Sequence, residues 1–86
     1  MSRATVVVTA DDMGLWPAWD RAIEAAYQRG VVTAVSVVVN GGTYREAAAR
    51  LRGSPVDRGV HVNLIEGAPL AGAASAPSLV DARGRF

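Results

Sequence analysis

The sequence predicts an α/β domain in which three parallel strands form one sheet and two amphipathic helices connect them. Valine-rich apolar runs bounded by turn residues recur along the chain, and segments of helical length with one apolar face lie between them. Half of the 86 residues are apolar, which is typical of a folded chain with a buried core. At this length the chain forms one domain at most, which excludes a large self-contained enzyme.

The first strand is predicted at residues 6–10, a run that is apolar on both faces, as strands covered by helices are. We expect it to stop at Asp11 and Asp12, because two carboxylates cannot be buried unpaired. Trp16-Pro17 then favours a helix start, since a proline in the first helical turn loses no hydrogen bond that the helix needs.

The predicted first helix is amphipathic and ends at Gly30. We expect its apolar side to pack against the sheet and its polar side to face solvent. The apolar side is predicted to carry Trp19, Ile23 or Ala22, Ala26 and Tyr27, and the polar side Asp20, Arg21, Glu24 and Gln28.

A second β-branched strand is predicted at residues 34–39, followed by a glycine-containing turn. Thr43 and Glu46 have the spacing of a capping box, in which the two side chains satisfy amide groups at a helix start. The second helix is therefore expected to run from there to Arg52, with Gly53 as its C-terminal stop.

Residues 60–64 alternate between apolar and polar side chains, which predicts a third strand with His61 and Asn63 on one face. We assign residues 1–67 to the βαβαβ unit. Residues 68–86 begin with a stretch rich in Ala, Gly, Ser and Pro, and are expected to form a loop followed by a short hairpin.

The composition excludes several kinds of chemistry. The chain has no cysteine and no lysine, so disulfides, thiolate zinc sites, thiol nucleophiles and lysine bases are ruled out in these residues. The net charge is +1 and the arginines are scattered, so neither nucleic acid nor an anionic membrane is implied as a partner. The opening apolar run is too short for a signal peptide or a membrane span, which leaves the cytoplasm as the expected location.

Two adjacent carboxylates, Asp11 and Asp12, lie where the first strand is expected to end, at the edge where βα folds collect functional groups. Adjacent carboxylates repel one another, and a divalent cation offsets that repulsion. One can bind a metal while the other acts as a base only if the backbone bends, which Gly14 permits. The alternative is a solvated acidic loop in which an aspartate caps the helix.

His61 is the only histidine, and a lone histidine is more often a hydrogen-bonded structural residue than a metal ligand. The metal alternative gains weight because its strand is expected to run parallel to the first. Imidazole with carboxylate suits Zn²⁺ or Mn²⁺, whereas Mg²⁺ usually prefers oxygen ligands. Asp12 and His61 would supply two ligands, where a catalytic metal site commonly has three.

Three more polar residues, Asn40, Asn63 and Glu66, stand near predicted strand ends and are candidate substrate contacts. For each of them a turn or loop role is the alternative. Trp16 and Trp19 are candidates for a surface that stacks against sugar rings, with core packing as the alternative, particularly for Trp19.

Four blocks of the sequence together resemble a known family. They are TADDMGL at 9–15, RGVVTAVSVVVNG at 29–41, GVHVNLIEGAPL at 59–70 and SLVDARGRF at 78–86. In this order and spacing they look like the opening blocks of the YdjC-like carbohydrate deacetylases, which include the chitooligosaccharide deacetylases and the hopanoid-associated relatives.

The resemblance implies the N-terminal βαβαβ portion of a (β/α) barrel deacetylase that hydrolyses the N-acetyl group of an amino sugar or oligosaccharide. It also implies a divalent metal, Mg²⁺ or Zn²⁺, as cofactor. Carried over by position, Asp12 and His61 would be metal ligands, and Asp11 would be the general base that takes the proton of the attacking water.

Members of that family are much longer, and their further metal-binding histidines lie downstream of the matching blocks. Three strands cannot close a barrel that needs eight. We therefore expect a fragment or one piece of a split protein, with weak or no activity alone. The exposed edge of the third strand would be covered by self-association, as a homo-oligomer, or by a complementary chain.

Two other functions compete with the hydrolase. One is a noncatalytic oligomerising remnant of the same fold, which keeps no chemistry. The other is a receiver-like signalling domain, which also has an acidic pair after its first strand. That class needs a phosphoacceptor aspartate at the end of the third strand and a lysine, whereas Asp57 precedes the predicted third strand and lysine is absent.

Overall fold

The computed structural model describes residues 2–86 as three strands and two α-helices in alternation, followed by two short 3₁₀ turns. The strands form one parallel sheet in the order β1-β2-β3. The predicted α/β class, element order and parallel sheet are confirmed. The elements are β1 Thr9–Met13, α1 Pro17–Gln28, β2 Ala34–Val37, α2 Tyr44–Leu51 and β3 Asp57–Val60, with 3₁₀ turns at Ala73–Ser75 and Pro77–Leu79.

All three predicted strands have different limits in the structure. β1 begins three residues later than expected and contains both Asp11 and Asp12, so the expectation that they end the strand is wrong. Its pairing with β2 shifts between Ala10 and Met13, and this bulge turns the two carboxylates out of the regular ladder.

β2 ends at Val37, two residues earlier than predicted, and this also fixes where β3 stops. Val60 is the last β3 residue with a β2 partner, which is Val37. The prediction of a strand over residues 60–64 is therefore wrong, and His61 follows the strand instead of lying within it. Its amide still donates to the carbonyl of Val37 at 2.8 Å, which fixes its backbone at the strand end.

The first helix begins and ends where the sequence predicts. Trp16 is its N-cap residue in an extended conformation, Pro17 opens the helix, and Gly30 follows it with φ of +80°. Ile23 is buried as expected. Asp20 contradicts the prediction of a solvent-facing side chain, because it is only 1% exposed.

The second helix starts at the predicted residue but without the predicted capping box. The Thr43 hydroxyl donates to Oδ2 of Asp20 at 2.6 Å and makes no cap hydrogen bond. The helix ends at Leu51, one residue before the predicted end. The Arg58 guanidinium donates to the Leu51 carbonyl at 3.0 Å, which helps to satisfy the free carbonyls at this end.

The core lies between one face of the sheet and the two helices. Met13, Val35 and Val37 from the strands pack against residues of both helices, including Ala47 and Leu51. Side chains alternate along a strand, so Ser36 faces away from this core. Neither α1 nor α2 covers that second face, although parallel sheets are generally buried on both.

The predicted hairpin within residues 68–86 is present only as a turn. The amide of Asp81 donates to the carbonyl of Arg85 at 2.7 Å, and Gly84 has φ of +78°. No strand flanks this turn in the described part of the chain. Among residues 2–86, neither helix has the length and apolarity needed to span a bilayer.

Candidate active site

The chemistry-bearing side chains gather at the carboxyl end of the parallel sheet. Asp11 and Asp12 come from β1, Ser36 from β2, and His61 directly follows β3. Parallel strands end at a common edge, so residues far apart in sequence meet there. The structure thus brings the predicted acidic pair and the predicted histidine to one place.

The Asp12 and His61 side chains are in direct contact. Oδ1 of Asp12 lies 3.2 Å from Nδ1 of His61, and the two side chains are 44% and 35% exposed. Two ligands at ~2.0–2.2 Å from one ion, at tetrahedral or octahedral angles, stand about 2.9–3.5 Å apart. The separation therefore suits two donors that share one cation.

Asp11 points to a different partner from its neighbour. The Ser36 hydroxyl donates to Oδ1 of Asp11 at 2.6 Å, and the same hydroxyl oxygen lies 3.3 Å from Nδ1 of His61. Ser36 thus connects the carboxylate to the imidazole across the central strand. Sequence reasoning missed it, although a single hydroxyl residue in the valine-rich run 34–39 was a usable signal.

The backbone bends at Asp12 itself. Its φ is +69°, in the left-handed region that residues other than glycine rarely adopt, and Gly14 follows with φ of +101°. Such strained positions concentrate at functional sites. The sequence predicted the bend from Gly14, and the structure shows that the metal-ligand candidate takes part in it.

A buried brace holds this bend in place. Oδ1 of Asp20 accepts a hydrogen bond from the Gly14 amide at 2.7 Å, while Oδ2 accepts the one from the Thr43 hydroxyl. The carboxylate therefore ties the loop after β1 to the loop after β2. This accounts for its burial on a helix face that the sequence predicted to be solvated.

Asn40 and Asn63, both candidate substrate contacts, bind each other. Asn63 Nδ2 donates to Oδ1 of Asn40 at 3.1 Å, and Asn40 Nδ2 donates to the Asn63 carbonyl at 3.0 Å. Oδ1 of Asn63 also accepts a hydrogen bond from the backbone amide of Glu66 at 2.9 Å, which shapes the turn that follows. Both amides have structural partners, and their contact with a substrate stays a prediction.

An open pocket of about 330 Å³ adjoins the cluster. Glu66 lines it with an exposed side chain, and both tryptophans lie on its wall. Asp12 and His61 also line it. A larger pocket of about 570 Å³ contains Tyr27 and Arg50 and none of the candidate site residues.

The donor set suits a divalent ion but is incomplete within the described residues. In residues 2–86, no group of three or more His, Cys, Asp or Glu side chains is arranged to hold a metal ion. Asp12 and His61 offer one carboxylate oxygen and one imidazole nitrogen, which is the mixture that Zn²⁺ and Mn²⁺ accept. A third protein ligand would have to come from elsewhere.

Comparison with known proteins identifies the family. The YdjC-like protein family matches this chain over residues 5–86. A carbohydrate deacetylase from Mus musculus is 42% identical over 85 residues, which is 98% of this chain and 27% of the mouse protein. A chitooligosaccharide deacetylase from Serratia marcescens is 40% identical over 82 residues, covering 94% of this chain and 31% of that protein.

A solved structure has the same fold over nearly the whole chain. It is a protein from Enterococcus faecalis V583, provisionally named for cellobiose-phosphate cleavage, with a TM-score of 0.84 and 34% identity. The match covers 93% of this chain and 32% of that one. This chain therefore spans about a quarter to a third of the relatives it matches. The family match over residues 5–86 and these likenesses show that the chain belongs to the YdjC-like family.

Proposed function

We propose that this chain supplies the metal-binding and general-base part of a hydrolase that removes the N-acetyl group from an amino sugar or its oligomers. The contact between Asp12 and His61 at 3.2 Å carries this proposal, because it joins two side chains 49 positions apart at the functional end of the sheet. The names of the relatives, carbohydrate deacetylase and chitooligosaccharide deacetylase, support the substrate class.

Asp12 and His61 would hold the divalent cation, Zn²⁺ or Mg²⁺. When bound, it would lower the pKa of water and polarise the acetamide carbonyl. Asp11 stands beside this pair and would take the proton of the attacking water. The Ser36 hydroxyl donates a hydrogen bond to Oδ1 of Asp11 and so fixes the orientation of the carboxylate. Oδ2 would then receive the proton of the attacking water.

A second candidate is a noncatalytic module that assembles with another copy or with a complementary chain. All four residues of β3, Asp57–Val60, are exposed, and this strand is one edge of the sheet. An exposed edge strand presents unpaired backbone groups that another chain can cover.

The receiver-like alternative loses its support, because Asp57 opens β3 at the end opposite Asp11 and Asp12.

Metal titration tests the proposed ligands. We expect Zn²⁺ binding, followed by calorimetry, to weaken at least ~10-fold in Asp12→Ala and in His61→Ala. Asp57→Ala is the matched control, because it removes an exposed carboxylate at the other end of the sheet. Binding that both site variants leave unchanged would remove the metal site from the proposal.

Hydrolysis tests the proposed base. Acetate release from N-acetylglucosamine oligomers is measured with the downstream part of the Serratia marcescens relative added as a second polypeptide. Asp11→Asn should lower the rate about 100-fold or more while leaving Zn²⁺ affinity within about threefold. If the wild-type chain releases no acetate and sediments as a stable assembly without metal, the noncatalytic module is the better account.

A further inference from the structure

Trp16 and Trp19 form a tilted aromatic pair outside the core. Their ring centroids are 4.9 Å apart with the ring planes at 31°. The two side chains are 42% and 50% exposed, although tryptophan is the largest apolar side chain that the core could have used. Core packing, the alternative interpretation of the sequence, is therefore wrong for Trp19.

The pair lies beside the candidate active site. Both rings line the 330 Å³ pocket that also contains Asp12, His61 and Glu66. Exposed apolar surface next to convergent polar groups is typical of a ligand site. The pocket thus combines an aromatic wall, a carboxylate and the two proposed metal ligands.

We propose that Trp16 and Trp19 form an aromatic platform that stacks against the C–H face of a pyranose ring and holds the amino-sugar substrate beside Asp12 and His61. This inference rests on the proposed function and adds to it the residues that bind the sugar. A pyranose ring has one face of C–H groups and an equatorial rim of hydroxyls. The face suits an aromatic wall, and the rim can donate to the Glu66 carboxylate.

A second pocket adjoins the first and extends the inference from one sugar ring to several. A smaller pocket of about 120 Å³ shares Trp16 and Glu66 with the first and reaches Asn40 and Gly42. Trp16 therefore stands between two compartments, and a chain of sugars can contact both where a single sugar contacts one. A Cβ at Gly42 would meet only the Leu15 carbonyl oxygen, at 3.9 Å, so a larger side chain can be introduced there to fill this compartment.

Tryptophan fluorescence provides a direct test, because the chain has only these two tryptophans. The 86-residue chain is titrated with N-acetylglucosamine and with its dimer and tetramer, and the shift in emission is followed. We expect the tetramer to bind at least ~10-fold more tightly than the monomer. Gly42→Leu should remove most of that preference and leave binding of the monomer within about threefold of wild type.

Substitutions at the pair test the platform itself. Trp16→Leu and Trp19→Leu should each weaken binding of the tetramer ~10-fold, with the remaining tryptophan as reporter, whereas Trp19→Phe should stay within about threefold. Tyr44→Leu is the control, since Tyr44 is also partly exposed but lies on α2 outside this pocket. Circular dichroism checks that each variant is folded, and the other leucine variant decides the matter if one is not.

The outcomes separate the platform from the proposed hydrolase. In metal-free buffer the tetramer should still shift the tryptophan emission, which supports the platform even if no hydrolysis is found. The platform is overturned if saturating tetramer leaves the emission unchanged or if Tyr44→Leu weakens binding as much as the tryptophan variants do. It is also overturned if the emission shifts with protein concentration alone, because a second copy would then cover the pair.

Discussion

At the amino end of the sheet, polar side chains pair with opposite charges or with backbone carbonyls, whereas at the carboxyl end two carboxylates stand side by side. Glu24 and Arg50 form an ion pair at 2.7 Å, and the Tyr27 hydroxyl donates to the Arg50 carbonyl at 3.1 Å. At the other end, Asp11 and Asp12 are adjacent, and Asp12 has a strained backbone.

The difference separates an end with paired groups from the end that carries the candidate site. Burial and, less strongly, the neighbouring Glu24 carboxylate raise the pKa of Tyr27, so the phenol keeps the proton that it donates to the carbonyl. The ion pair and the hydrogen bond at that end favour the folded structure. At the carboxyl end, the left-handed backbone of Asp12 opposes folding, so other contacts must hold these groups together.

The largest expected effect tests the close approach of Gly14 and Gly41, which lie in the connections after β1 and β2. A Cβ at Gly41 would lie 2.0 Å from the carbonyl oxygen of Gly14, so Gly41→Ala forces two backbone segments apart. We expect the free energy of unfolding, measured by urea denaturation, to fall by about 3 kcal/mol or more. Gly59→Ala is the control, because nothing lies within 4 Å of its Cβ and the change should be within about 1 kcal/mol of neutral. Equal effects of the two variants would show that the loops are not held by this approach.

The next effect tests the buried carboxylate. Asp20→Ala leaves the Gly14 amide and the Thr43 hydroxyl without their acceptor and should lower the free energy of unfolding by about 2–3 kcal/mol. Asp20→Asn keeps one acceptor oxygen and should fall between the alanine variant and wild type. The exposed Asp57→Ala should change stability by less than about 0.5 kcal/mol. A loss no larger than that in Asp20→Ala would contradict the role of the brace.

The smallest expected effect tests the ion pair between Glu24 and Arg50 at the amino end of the sheet. Glu24→Gln removes an ion pair whose side chains are 24% and 30% exposed, so the expected loss is only about 0.5–1 kcal/mol, smaller still at high salt. Glu46→Gln, on the exposed side of α2, is the control for the loss of an exposed carboxylate charge. If Glu24→Gln destabilised the chain more than Asp20→Ala does, the contrast between the two ends would be reversed.

Much of the fold could be predicted from local signals. Trp16-Pro17 and Gly30 mark the helix ends because proline is fixed at the φ of a first helical turn and glycine tolerates the positive φ that follows a helix. The strand limits were wrong because apolarity reports burial, while the limits depend on which residues find a partner on the next strand. The early end of β2 at Val37, and with it the end of β3, is set by this pairing.

The site was predicted to the extent that topology determines it. Asp11, Asp12 and His61 met as expected because parallel strands share an edge. Ser36 was missed because a hydroxyl in a strand has many ordinary uses. The burial of Asp20 was missed because its two donors come from separate loops, and no periodicity in the helix reports them.

The close approach of Gly14 and Gly41 has a consequence for how related chains can diverge. The Thr43 amide donates to the Gly14 carbonyl at 2.9 Å, so the connections after β1 and β2 are fastened to each other. An insertion in either connection would pull on the other and misalign Asp12. The segment after His61 is joined to the connection after β2 by the hydrogen bonds between Asn40 and Asn63. Beyond that pair, the segment 64–66 makes its hydrogen bonds to Asn63 within its own turn and lines the pocket. New substrate preferences are therefore expected to arise by changes in its length and sequence.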